Sequence, residues 1–439
     1  MPTNVWLGQI ICIVFNLMLN TQHYDEATRS GTPVKPKFDT DSLRQLHFDI
    51  DSRPFLILME LTIACDLACK HCRAESIHTP PENELSTEEI FSIFDDLSSL
   101  GSPRPIVVLS GGDPLRRDDL CELISYATAS GLTCAVSPAG TTRVNKEVLR
   151  DIREAGAGTV SFSIDGASAK SHDRFRKVPG SFEMTVAGAK NALDAGLHLQ
   201  INTTVCSETL DELPGIAHLV SDLKANLWSI FFLVPTGRGS ALKAITPAET
   251  EQVLRFLADV STLIPLKTTE APAYRRIVAS QRLKQHLSKR SFDNQMASAA
   301  SKDEIMSGEM ALYYKLHKMF AELGPVEERH GAGSHRTRRS PLAVGDGKGV
   351  VFISHFGEVY PSGFLPLSAG NVRDKSIIDI YATSPLLRSL RDPNLLEGKC
   401  GLCEMRDTCG GSRSQAYAYT GNPLAEDPSC IYQPASSYV

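Results

Sequence analysis

The chain has 439 residues, 42 % of them hydrophobic, with 45 basic and 51 acidic side chains and a net charge of −6. That length and composition fit two or three globular domains and exclude a disordered, collagenous or fibrous chain. The mild acidity leaves no whole-protein basic footprint for nucleic acid or an anionic membrane. No run reaches the roughly 18 apolar residues of a spanning helix, so stable membrane insertion is not expected.

Residues 1–50 read as an irregular extension. Residues 5–19 are apolar, but no Lys or Arg precedes them and no small-residue cleavage site follows. They are taken as part of that extension, or as a start placed ahead of the true one at Met18. From residue 51 to about 275, β-like runs alternate with amphipathic helical patterns. The runs are 55–63, 106–110, 132–137, 159–165, 197–205 and 228–234. The helical patterns are 87–100, 118–130, 145–155, 181–195, 209–223 and 247–262. Apolar strands separated by helices predict a parallel α/β sheet covered on both faces. Six such units make a partial (β/α)6 barrel of the TIM type, with its site at the C-terminal ends of the strands. Residues 276–347 read as a variable connector with one helix near 308–323. Residues 348–439 open on a strand–turn pattern, continue with a helix near 376–390, and read as a small α+β C-terminal domain.

Of 11 cysteines, seven fall into two groups. A large chain has no need of a disulfide framework, so clustered cysteines point to metal or redox chemistry. Cys12, Cys121, Cys134 and Cys206 are scattered and read as small core residues. Cys65-x3-Cys69-x2-Cys72 follows the first predicted strand. Three thiolates can hold three irons of a 4Fe–4S cube and leave the fourth iron open. Cys400-x2-Cys403-x5-Cys409-x20-Cys430 supplies four thiolates. Four ligands close a site, and on spacing alone a second iron–sulfur cluster and a structural zinc both remain open.

The first spacing resembles the signature of the radical S-adenosylmethionine (SAM) superfamily. Gly111-Gly112-Asp113-Pro114 after the second strand is similar to the superfamily's GGE-type motif. The resemblance implies that Gly111, Gly112 and Asp113 hold the methionine end of SAM. Ser163-Ile164-Asp165-Gly166 with His172-Asp173-x2-Arg176 resembles the stretch found in peptide- and tetrapyrrole-modifying members. By that likeness Ser163, Asp165 and Arg176 belong to the SAM site, and Asn202 at the end of the fifth strand faces the ribose. His71 stands where many members place Tyr or Phe beside the adenine, and an imidazole can still stack there. Such enzymes pass one electron from a reduced cluster to SAM. The resulting 5′-deoxyadenosyl radical takes a hydrogen atom from substrate. The implied electron donor is of the low-potential flavodoxin or ferredoxin type, and the implied compartment is the cytoplasm.

The second group resembles the auxiliary-cluster domain called SPASM or, when shortened, twitch. Ser362 and Arg413 stand where full members place cysteines, which implies a single auxiliary cluster on Cys400, Cys403, Cys409 and Cys430. The whole pattern is similar to the tetrapyrrole branch, which includes the alternative heme synthase. A tetrapyrrole substrate is therefore expected, with Arg275, Arg276, Arg336, Arg338, Arg339 and Arg413 as candidates to pair its propionates. His355 could ligate a heme iron, although a lone His is more often structural. The same architecture serves maturases of ribosomal peptides. A non-catalytic iron–sulfur carrier would need neither an open iron nor the GGDP turn.

Overall fold

The computed structural model describes residues 49–281, 310–326 and 344–434. Residues 1–48 of the expected extension 1–50, and the cluster Arg336, Arg338 and Arg339, lie outside the described residues.

Seven parallel strands follow one another around an open sheet: β1 Leu56–Glu60, β2 Ile106–Ser110, β3 Thr133–Val136, β4 Thr159–Ser163, β5 His198–Val205, β6 Leu227–Phe232 and β7 Leu266–Thr269. The connecting helices are α1 Thr87–Ser99, α2 Leu120–Ala129, α3 Lys146–Glu154, α4 Ala169–Arg176, α5 Ser181–Asp194, α6 Leu213–Asp222 and α7 Pro247–Val260. Their starts are chemically marked. Ser86 and Glu89 form a capping box on α1, and Thr246 and Glu249 form another on α7, each followed by an apolar face.

Alternation along each strand sorts the two faces. Ile57, Met59, Val107, Leu109, Val136, Val160, Phe162, Leu199 and Ile201 point outward and are buried under the helices. Each such burial stabilises the fold by about 1.5–3 kcal/mol. The opposite residues, among them Leu56, Leu58, Val108, Ser161, Ser163 and Asn202, face the barrel interior.

The structure extends the six expected units. β7 extends the sheet beyond β6. α4 was unexpected because its sequence, AKSHDRFR, is mostly polar; it packs only through Ser171, His172, Phe175 and Arg176. Beyond β1 the sheet continues with β9 Gly349–Ile353, parallel to β1, then with β10 Glu358–Tyr360 and β11 Gly370–Asn371, both antiparallel. A short β8, Gly345–Asp346, pairs with β9. The C-terminal segment therefore shares one sheet with the barrel.

The expected connector helix is α8, Ala311–Glu322. It docks on α6 and α7, where Gln252 Oε1 accepts from the Leu312 and Tyr313 N–H groups. The helix expected at 376–390 is two, α9 Ile377–Thr383 and α10 Pro385–Arg391, because Pro385 cannot continue the first. α11 Gly398–Leu402 and α12 Arg413–Thr420 complete the chain.

Candidate active site

The inward strand faces and the C-terminal segment enclose a cavity of about 1040 Å³. Its wall is apolar at Leu56, Leu58, Ile106, Val108, Leu227 and Phe231. Cys65, Cys69 and Cys72 line one part of it, and Cys409 lines another.

The three thiols ride on the loop after β1, and that loop is tied down on several sides. The Cys65 N–H donates to the Ile77 carbonyl (2.9 Å) and the Lys70 N–H to the Phe175 carbonyl (3.0 Å). Arg238, from the turn after β6, donates its Nε to the Cys69 carbonyl (3.0 Å) and its backbone N–H to the Cys72 carbonyl (3.0 Å). Sequence reasoning missed Arg238; its position in Thr-Gly-Arg-Gly just beyond a strand end was the available signal. Burial pushes the Cys65 thiol up to about 12 and raises Cys69 as well. Such thiols ionise when a metal takes them. His71 stacks on Phe175, with ring centroids 4.9 Å apart, and burial lowers its imidazole to about 4, so it is neutral.

The Gly111-Gly112-Asp113 turn packs directly against this loop. The Gly112 N–H donates to the Thr62 carbonyl (2.7 Å), and the Asp113 N–H to the Ala64 carbonyl (2.8 Å). A Cβ on Gly112 would strike the Ala64 carbonyl oxygen, and one on Gly111 the Thr62 carbonyl oxygen. The glycines thus admit the chain's own backbone, and both also line the cavity. Asp113 Oδ1 accepts from the Leu115 (3.1 Å) and Ala139 (3.3 Å) N–H groups, while the buried Oδ2 has no partner. Burial raises this carboxyl to about 6, against the pull of those two N–H donors.

Ser163 and Asn202 face the cavity from adjacent strands, and Gln200 Nε2 donates to Asn202 Oδ1 (2.7 Å). Asp165 is not part of the wall. It is buried and forms an ion pair with Arg176, whose Nη1 reaches Cys69 Sγ at 3.5 Å. It also accepts the Thr204 N–H (2.7 Å). Burial works against the Asp165 carboxylate, but the Arg176 guanidinium together with the Thr204 N–H and the neighbouring His71 and His172 outweighs it, and its pKa stays below the ordinary range. The structure thus makes Asp165 the anchor that aims Arg176 at the thiol group.

At the second group, Cys400 Sγ accepts from the Asp427 N–H (3.3 Å) and Cys403 Sγ from the Met405 N–H (3.4 Å). Burial pushes Cys409 up to about 12, with further upward contributions from Asp427, Cys430 and Cys400, all close by. Ser362 bonds Ser414 (3.0 Å), and Arg413 Nη2 lies 3.8 Å from Cys400 Sγ. Among the described residues no three His, Cys, Asp or Glu side chains converge tightly enough to grip a single metal ion. A cube gives each thiolate its own iron, so its ligands stand farther apart.

Several substrate contacts expected from sequence are otherwise engaged. Arg413 donates to the Pro423, Ala425 and Gly411 carbonyls, and Arg276 pairs with Glu251. Arg275 faces the cavity but bridges the Thr408 (2.7 Å) and Val344 (2.8 Å) carbonyls. His355 does not line this cavity: its Nδ1 bonds Glu60 (2.8 Å), which also pairs with Arg73. That network spans β1 and the C-terminal segment, so no local pattern announces it.

Residues 59–220 match the Radical SAM superfamily. A protein of Methanosarcina barkeri named AdoMet-dependent heme synthase is 38 % identical over 87 % of this chain and 97 % of its own length. The chain belongs to the radical SAM superfamily. A protein of the same name from Oleidesulfovibrio alaskensis is 40 % identical over 86 % of this chain and 87 % of its own. A mycofactocin maturase, MftC, of Mycobacterium ulcerans is 30 % identical over 89 % of this chain and 90 % of its own. Among solved structures, Streptococcus suis SuiB bound to S-adenosylmethionine has a TM-score of 0.58 at 15 % identity, covering 87 % of this chain and 78 % of that one. That likeness bears on the fold alone. The protein is a radical SAM enzyme that works with S-adenosylmethionine and a 4Fe–4S cluster. Its site fits that pair chemically: three thiols face one cavity, and the orphaned Asp113 Oδ2 beside them wants a cation or donor. Among the described residues no helix is long and apolar enough to cross a membrane.

Proposed function

We propose that this enzyme acts on a tetrapyrrole, modifying propionate side chains as a heme synthase does. Cys65, Cys69 and Cys72 hold the cluster. Asp113, Ser163, Arg176 and Asn202 line the S-adenosylmethionine site, Gly111 and Gly112 seat the turn that carries Asp113, and Asp165 positions Arg176. The observation that carries this reading is the single apolar-walled cavity of about 1040 Å³ reached by both cysteine groups. Pockets for drug-sized ligands run about 300–1,000 Å³, so this one has room for a large flat ligand beside a nucleoside. The relatives named AdoMet-dependent heme synthase support the same substrate class.

When bound, the cluster and S-adenosylmethionine together supply the radical that removes a hydrogen atom. The chain's own residues do the rest. Arg176, fixed by Asp165, sets a positive charge beside the Cys69 sulfur and stabilises electron-rich ligands there. The apolar strand faces keep water from the reacting carbon. Cys400, Cys403, Cys409 and Cys430 hold an auxiliary 4Fe–4S cluster within the segment 348–439, next to the cavity rather than on the far surface. A low-potential flavodoxin or ferredoxin serves as electron donor, and the oxygen-sensitive centres suit the cytoplasm.

Anaerobic reconstitution tests this reading. The expected content is about eight irons per chain, from two four-iron cubes. Coproheme should lose propionate carbon as CO2 in step with S-adenosylmethionine cleavage. About four irons plus one zinc would make the second site structural. Cleavage without any turnover of coproheme, but with modification of a precursor peptide, would favour the maturase reading that the MftC relative supports.

A further inference from the structure

The strand register sets one row of polar residues across the barrel interior. Ser163 pairs with Asn202, Asn202 with Ser229, and Ser229 with Lys267. Register partners point to the same face of a sheet. The row therefore runs from the S-adenosylmethionine side of the cavity to β7, and Lys267 ends it. The Lys267 side chain lines the cavity. Its amine has no hydrogen-bond or ion-pair partner among the described residues, and burial alone pulls it down to about 8. Ser229 Oγ, next in the row, is also buried without a partner.

A lysine enclosed without a counter-ion is costly, because burial disfavours the charged form. Three guanidinium groups of the cavity wall do not share this state. Arg275 is committed to two backbone carbonyls, Arg176 to Asp165, and Arg73 to Glu60. They hold the wall together, whereas Lys267 is free to meet what enters. A flexible ammonium with three donors suits a carboxylate that must arrive and leave.

We propose that Lys267 is the carboxylate-recognising residue of the substrate cavity, pairing with a propionate of the tetrapyrrole. This rests on the tetrapyrrole reading above. The pairing would set the bound macrocycle at the same strand level as Asn202 and Ser163, two and three strands away. The ring would thus be oriented toward the radical source by charge rather than by shape alone.

The test uses the full reconstituted chain without oxygen. Coproheme and its tetramethyl ester are titrated by Soret absorbance into wild type, Lys267→Met and Lys267→Arg. Wild type should prefer the free acid by about tenfold or more, the scale of a charged hydrogen bond. Lys267→Met should lose most of that preference, and Lys267→Arg should keep much of it. Iron content shows whether each variant folded. An independent readout needs no variant: coproheme, and not the ester, should protect Lys267 of the wild type from reductive methylation, followed by mass spectrometry. Wild type that binds coproheme with Lys267 unprotected, or a folded Lys267→Met with full preference, overturns the assignment and leaves the substrate reading intact. A Lys267→Met chain that loses S-adenosylmethionine affinity but not coproheme affinity also overturns it, since the carboxylate held would be the methionine's. Wild type that binds no coproheme overturns the substrate reading and this assignment with it.

Discussion

Replacing Asp113 by Asn separates what this carboxyl costs the fold from what it does for a ligand. Burial lifts it from the usual 3.8 to about 6. At 1.36 kcal/mol per pH unit, an ionised Asp113 destabilises the ligand-free fold by ~3 kcal/mol relative to the neutral acid. Because the folded value lies above the unfolded one, the wild type is most stable below about pH 4, loses stability as pH rises to about 6, and is level above that. Asn does not titrate, and its Oδ1 can keep the Leu115 and Ala139 N–H bonds. In urea unfolding of the S-adenosylmethionine-free chain, the variant should gain ~3 kcal/mol on the wild type between pH 4 and pH 8. Its affinity for S-adenosylmethionine should fall over the same range, because the orphaned Oδ2 proposed to meet the ligand is gone. Stability curves that run parallel across that range would refute the reasoning, as would an affinity that does not change.

Ala at Cys65, Cys69 or Cys72 should each abolish S-adenosylmethionine cleavage while sparing the iron of the second site, read by metal analysis and product assay. Asp165→Asn leaves Arg176 buried beside a neutral partner and should cost about 3–5 kcal/mol in chemical unfolding. Gly112→Ala pushes a methyl into the Ala64 carbonyl, so the β1 loop must shift; S-adenosylmethionine affinity should drop, and a normal affinity would contradict the packing described. His355→Phe should leave the coproheme spectrum unchanged and lower stability by about 1–3 kcal/mol through the abandoned Glu60 carboxylate.

Much of the scaffold could be read from local sequence. The strand 106–110 and the helix starting at Thr87 fall where pattern and capping residues put them. So does the thiol loop directly after β1. α4 escaped because a short polar helix with one buried face gives a weak periodicity. β7, with only Leu266 fully buried in LKTT, gives almost none. Charge in a sequence does not reveal that a guanidinium is spent on carbonyls, as at the candidate arginines Arg275 and Arg413.

The sequence alone therefore determined the β/α alternation, the two cysteine groups and the turn that accompanies the first. These depend on residues within a few positions of one another, where spacing fixes geometry. Only the tertiary structure decided that Asp165 serves Arg176 rather than the cavity, that His355 belongs to Glu60, and that Lys267 stands level with Asn202. Those relations join residues brought together by strand register and sheet closure, and the energy of a buried charge depends on partners that no local pattern contains.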